Sequence, residues 1–154
     1  MQIPFFNYKD FCKDIDYLSL VKDVLGTGFL IGGPYVHELE KKIEDFTGIK
    51  HCVAVGNATD AMEIIFKFLD LPQNSKVLVP AHTMLATASA VKNANLFPIP
   101  IDVDNNSLML EIKQLENINL NNVSACMVTQ LNGVVADMKP IKEFCEKNNL
   151  VLVE

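Results

Sequence analysis

The chain has 154 residues, 49% of them hydrophobic and 21% charged, a balance that suits one globular domain with a real core and argues against disorder. Net charge is −6 and all thirteen basic residues are dispersed lysines, so the planar guanidinium fork that grips phosphates and guanine edges is missing, which argues against a nucleic-acid partner. No apolar run is long enough to cross a bilayer, and Met1-Gln2-Ile3-Pro4 lacks the basic and apolar regions of a signal peptide.

Cys12, Cys52, Cys126 and Cys145 form no Cys-x-x-Cys pair, and most lie within apolar patterns. Free, buried thiols in a reducing cytoplasm are the expectation. His37, His51 and His82 are too scattered to suggest a metal site.

Residues 1–33 read as an N-terminal arm and connector. Tyr17, Leu20, Val21, Val24 and Leu25 have helical spacing, and Gly26-Thr27-Gly28 ends that helix. Gly26, Gly28 and Gly32 give Gly-x-Gly-x-x-x-Gly after a helix, which fails the dinucleotide fingerprint in both spacing and context. A second helix spans about Pro34 to Thr47, with Pro34 in its first turn, Val36, Leu39, Ile43 and Phe46 as one stripe, and Gly48 as its stop.

From residue 51 strands and helices alternate. The pattern predicts a strand over 51–56, a helix over 58–69 and a strand over 76–79. Thr83 is expected to cap a helix running to about Asn95, and Phe97 to Ile101 forms the next strand. A short helix near 110–116, a strand over 123–129 and a loop from Gln130 to Ala136 follow. Asp137 then caps a helix with Ile141, Phe144 and Cys145 inward, and a strand over 150–153 ends the sequence. Continuous apolar strands between amphipathic helices imply an α/β fold, a mostly parallel sheet covered by helices on both faces.

The run Val53 to Met62 carries the most chemical information. An apolar segment stops at Gly56-Asn57, and the following helix begins with the small residues Ala58 and Thr59. Unpaired N–H groups at such a start bind anions. The plainer alternative is that Asn57 or Thr59 simply caps the helix. Ligands of parallel sheets sit outside the carboxyl ends of the strands. That rule gathers Gly56 to Thr59, Pro80 to Met84, Asp102 and Gln130 to Gly133 along one edge, which favours one shared site.

Taken in order, Gly28 to Val36, Val53 to Met62, Val77 to Thr83 with Ala86-Thr87, Pro98 to Asp104, Leu131-Asn132-Gly133 with Ala136-Asp137-Met138, and Leu150 to Glu154 resemble the large domain of the sugar aminotransferase family (DegT/StrS type). The resemblance covers essentially the whole chain. It implies a pyridoxal-phosphate-dependent enzyme of fold type I, with residues 34–154 as part of its large domain. Ala58 and Thr59 match the pair at the cofactor phosphate, with Asn57 beside them. Met84 stands where the family usually stacks an aromatic ring on the cofactor; core filling is the equal alternative there. Gly32, His82 and Asn132 fall on the substrate side, and residues 28–33 near a dimer interface. Gln130 replaces the histidine of a loop that often reads His-x-x-Gly.

The resemblance also implies a catalytic lysine that holds the cofactor aldehyde as a Schiff base, and an aspartate beside the ring nitrogen directly after the position of Glu154. Neither has a counterpart in this sequence. The chain is therefore expected to be an N-terminal fragment, inactive alone and poorly soluble, of a homodimeric enzyme. That enzyme would move an amino group, with glutamate as donor, onto a nucleotide-linked keto sugar for polysaccharide or glycan synthesis. A non-catalytic domain that binds a phosphorylated ligand or pairs with an intact subunit stays open as an alternative. So does a sugar dehydratase of the same family.

Overall fold

The computed structural model describes residues 6–154. The reading of Met1 to Pro4 lies outside them. Contacts divide the chain into two units, Met1–Ala54 and Val55–Glu154.

Among its described residues the first unit holds three helices: α1 (Tyr8–Phe11), α2 (Tyr17–Thr27) and α3 (Pro34–Thr47). Asp16 caps α2 by accepting from the Ser19 N–H at 3.1 Å. Gly28 ends the helix in the left-handed region at φ +72°, where a Cβ is strained. α3 follows the predicted bounds, with Pro34 in its first turn and Gly48 closing it at φ +74°. Its polar face carries Lys42–Glu38 and Lys41–Asp45 pairs one turn apart. Its apolar stripe is not buried: Leu39, Ile43 and Phe46 are all exposed.

The strand expected over 51–56 is absent. A strand exists only through a neighbour's hydrogen-bond ladder, and no strand among the described residues pairs with this segment. Its donors go to α3 instead: Cys52 N–H donates to Glu44 Oε1 at 3.0 Å, and Ala54 N–H to Glu40 Oε1 at 2.8 Å.

The second unit runs α4 (Ala58–Phe68), β1 (Lys76–Pro80), α5 (Leu85–Asn93), β2 (Phe97–Ile101), α6 (Ile112–Leu115), β3 (Val123–Met127), α7 (Met138–Lys147) and β4 (Val151–Val153). A short 3₁₀ turn at Leu131–Gly133 follows β3. The sheet is four-stranded with order β2-β1-β3-β4, and every pairing is parallel. Parallel neighbours need crossovers, and the helices between strands supply them.

β2 is an edge strand, and its composition suits that place. Phe97 N–H donates to Ser75 O. Because strand residues alternate in direction, Pro98 and Pro100 turn their donor-less nitrogens away from β1. β1 is central, with Val77, Leu78 and Val79 all buried.

Alternation splits the core in two. Val77, Val79, Ala125 and Met127 pack with Phe66 of α4 and Val91 of α5. Leu78, Cys126 and Val128 pack on the other face with Leu115, Ile141 and Cys145. Both faces are covered, as the continuous apolar strands require. All four cysteines are free. The Cys145 neighbour, and then burial, pushes the Cys126 thiol well above its ordinary value.

Two caps differ from expectation. Thr83 does not cap α5, whose N-cap is Met84; the Thr83 hydroxyl bonds other threonines instead. Asp137 stands at the N-cap of α7 but makes no capping hydrogen bond with its side chain.

Candidate functional site

A cavity of about 570 Å³ opens at the carboxyl ends of β1 and β3, beside the first turn of α4. Ala58, Thr59, Ala61, Met62 and Ile65 form its helical wall. Thr83, Met84, Ala86 and Thr87 close the side after β1, and Met127 to Gln130 with Glu154 close the side after β3 and β4.

Asn57 is extended, at φ −164° and ψ 168°, and turns the chain into α4. Its Oδ1 accepts from the Asp60 N–H at 2.9 Å, while its Nδ2 donates to the Asp60 carboxylate at 2.8 Å. Ala61 N–H donates to Asn57 O. The cap thus satisfies the third and fourth donors of the helix start. The first two, at Ala58 and Thr59, have no acceptor among the described residues. The first-turn side chains there are small, so an anion can approach two unpaired amides at the positive end of the helix dipole.

The far wall is tied together by hydroxyls. The Thr83 and Thr87 Oγ1 atoms stand 2.8 Å apart, and Thr83 Oγ1 donates to Thr129 Oγ1 at 3.2 Å. This ladder joins the loop after β1, the first turn of α5 and the end of β3. Among the described residues that line it, Glu154 has the one acidic side chain, and none of them is a lysine or histidine.

Against this geometry, the model of the DegT/DnrJ/EryC1/StrS aminotransferase family matches residues 12–154. The chain belongs to this family. It is 29% identical to GDP-perosamine synthase from Caulobacter vibrioides over 93% of its own length and 36% of that protein. Among solved structures it is similar to a DegT/DnrJ/EryC1/StrS aminotransferase from Brucella abortus, with TM-score 0.91, 26% identity, and coverage of 98% of this chain and 43% of that one. NtdA from Bacillus subtilis, solved with its bound cofactor PMP, superposes with TM-score 0.88 at 25% identity, covering 98% of this chain and 35% of that one. The chain thus spans less than half the length of each of these proteins.

Of the residues singled out from the sequence, this family member brings Ala58, Thr59 and Met84 to one cavity, with Asn57 as the cap beside them. Met84 is 70% exposed, so it lies on the cavity wall rather than filling a core. His82 is exposed and reaches the Leu108 carbonyl at 3.4 Å; it is not a lining residue. Asn132 holds φ +56° inside the turn after β3, also outside the lining. Gly32 belongs to the first unit, at φ +62° with open space where a Cβ would stand. Asp102 accepts from the N–H of its neighbour Val103, at 2.9 Å, and is not a lining residue.

Sequence reasoning missed the roles of Thr83, Thr87, Thr129 and Glu154. Their signal was present: Thr83 and Thr87 are four apart across a helix start, and Thr129 and Glu154 stand at the ends of apolar runs. Further along the same strand edge, Asp104 accepts from the N–H groups of Asn106 and Ser107 at 2.9 and 3.0 Å and pairs with Lys113. The Lys113 ammonium first, then these two amides, hold its carboxyl well below the usual range. That cluster braces the loop before α6 and does not line the cavity.

Proposed function

We propose that this chain carries the cofactor-phosphate half of a pyridoxal-phosphate-dependent aminotransferase that acts on a nucleotide-linked keto sugar. The observation that carries the reading is the pair of unengaged amides at Ala58 and Thr59, opening on a cavity at the strand ends. A phosphate monoester is a dianion with strong acceptor oxygens, and a helix start with two free donors matches it in charge and in hydrogen bonding. The Thr59 hydroxyl adds a third donor.

Ala58 and Ala61 let the phosphate approach closely, while Met62 and Ile65 exclude water from the apolar body of the cofactor. Met84 offers a polarisable sulfur to the ring face in place of a flat aromatic surface. When bound, pyridoxal phosphate supplies an electron sink for charge developing on the substrate carbon. The described lining residues orient the cofactor and include no amine for covalent attachment, so the chain alone is expected to bind it without turnover. The name of GDP-perosamine synthase supports a sugar nucleotide as substrate class. The family resemblance supports glutamate as donor, a homodimer, a cytoplasmic site of action and an amino-sugar product destined for polysaccharide.

The test is titration of the purified chain with pyridoxal phosphate, followed by absorbance, with and without borohydride. Saturable binding that inorganic phosphate competes away, with no covalent adduct, is the expected result. Absence of saturable binding overturns the site. A stoichiometric borohydride-stable adduct at one lysine overturns the inference that this chain lacks the covalent amine.

A further inference from the structure

We propose that Gln130 is the positioning residue of this cavity: its side-chain amide, a group that does not itself titrate, holds the Glu154 carboxylate and the Ala136 backbone in fixed register. As far as a bound cofactor is concerned, the inference rests on the function proposed above.

Gln130 comes just after β3 and makes three contacts. Its Nε2 donates to Glu154 Oε1 at 2.9 Å and to Met138 Sδ at 3.2 Å, and its Oε1 accepts from the Ala136 N–H at 2.7 Å. Glu154 directly follows β4, and Met138 opens α7. One side chain thus ties together the ends of two neighbouring strands and the entry to the helix that connects them.

The amide's orientation is over-determined. A backbone N–H can only donate and an ionised carboxylate can only accept, so exchanging the amide O and N would break both bonds at once. Ala136 is buried, and without Gln130 its N–H would lose its acceptor in a place where water does not replace it. Glu154 has the only acidic or basic side chain among the described lining residues, so its location shapes the field that an anionic ligand meets. A free glutamate could swing toward the phosphate and repel it; Gln130 holds one of its oxygens at the β3 side.

A glutamine amide does this without a protonation state of its own to change. A neutral imidazole could also accept at one nitrogen and donate from the other. An imidazolium carries two N–H groups and cannot accept from Ala136. A carboxylate at 130 would accept from Ala136 but repel Glu154.

The experiment compares the chain with its Gln130→His and Gln130→Ala variants. Pyridoxal phosphate affinity is measured at pH 8 and pH 5.5, and amide exchange at Ala136 is followed by NMR without ligand. For Gln130→His, the affinity relative to the parent is expected within about twofold at pH 8, where imidazole is neutral, and at least threefold weaker at pH 5.5. Taking the ratio at each pH cancels the titration of the phosphate itself. For Gln130→Ala, Ala136 exchange is expected to quicken at least tenfold at both pH values. If Gln130→Ala does not fold, the pH profile of Gln130→His decides alone. Parent-like ratios at both pH values with unchanged Ala136 exchange would overturn the proposal. Faster Ala136 exchange in a chain that binds no pyridoxal phosphate would uphold the brace and retire the cofactor reading.

Discussion

Glu40 and Ala54 are joined by a 2.8 Å hydrogen bond from a backbone N–H to a carboxylate oxygen, fourteen residues apart. One helical turn along α3, Glu44 does the same for Cys52 at 3.0 Å. Two glutamates at i, i+4 therefore meet two donors at j, j+2, because a helix turn and two residues of extended chain span similar lengths. The carboxylates stand in for a neighbouring strand.

This clamp depends on acid. The Ala54 N–H first, then His37, lowers the Glu40 pKa from its ordinary 4.5. A carboxyl whose folded pKa is depressed contributes stability that is present above its unfolded value and lost as pH falls through its folded value. Amide exchange at Ala54, corrected for intrinsic rate, is expected to stay slow from pH 7 to about 4.5 and to quicken below it. Glu40→Gln keeps an acceptor without the charge and should flatten that profile. An unchanged acid response in Glu40→Gln would overturn the assignment.

At the start of α4, Asn57→Ala removes the acceptor for Asp60 N–H and should cost about 1 kcal/mol in urea unfolding, whereas Asn57→Gly should cost only a few tenths. Equal losses for the two variants would show that the Asn57 side chain does not hold the helix start.

Phe66 and Phe68 sit two residues apart on α4, yet Phe66 is 2% exposed and Phe68 is 86% exposed. Phe66→Ala should destabilise by about 3–5 kcal/mol through lost burial and the cavity left behind. Phe68→Ala should stay within about 0.5 kcal/mol. Equilibrium denaturation of both variants checks the contrast.

Ser75 is fully buried, and its hydroxyl has no hydrogen-bond partner among the described residues. Its backbone is engaged at both ends, with N–H donating to Pro72 O and O accepting from Phe97 N–H. Ser75→Ala removes only the desolvated hydroxyl and should raise stability by about 1 kcal/mol. A loss of stability measured by thermal melting would mean that the hydroxyl is paired.

How much was legible follows the range of the interaction. The helix over 34–47 was readable because Pro34, the apolar stripe and Gly48 all act within a few residues of one another. The strands β1 and β2 were readable for the same local reason. The strand over 51–56 was not, because Val53 and Val55 announce only an apolar extended segment, and pairing needs a partner elsewhere. At the cavity, the small residues Ala58 and Thr59 gave a local anion signal. The Gln130–Glu154 and Thr83–Thr129 contacts join residues 24 and 46 positions apart, so local spacing places each residue at an element end but does not name its partner.

The sequence alone determined most of the alternation of strands and helices, the small-residue start of α4 and the family likeness, since each is written in short-range spacing or in ordered motifs. Tertiary structure decided which apolar faces are covered, which donors the segment after α3 satisfies, and which side chains share the cavity. Those outcomes depend on what the chain brings alongside each residue through folding, and hydrogen bonds and burial are set by neighbours in space.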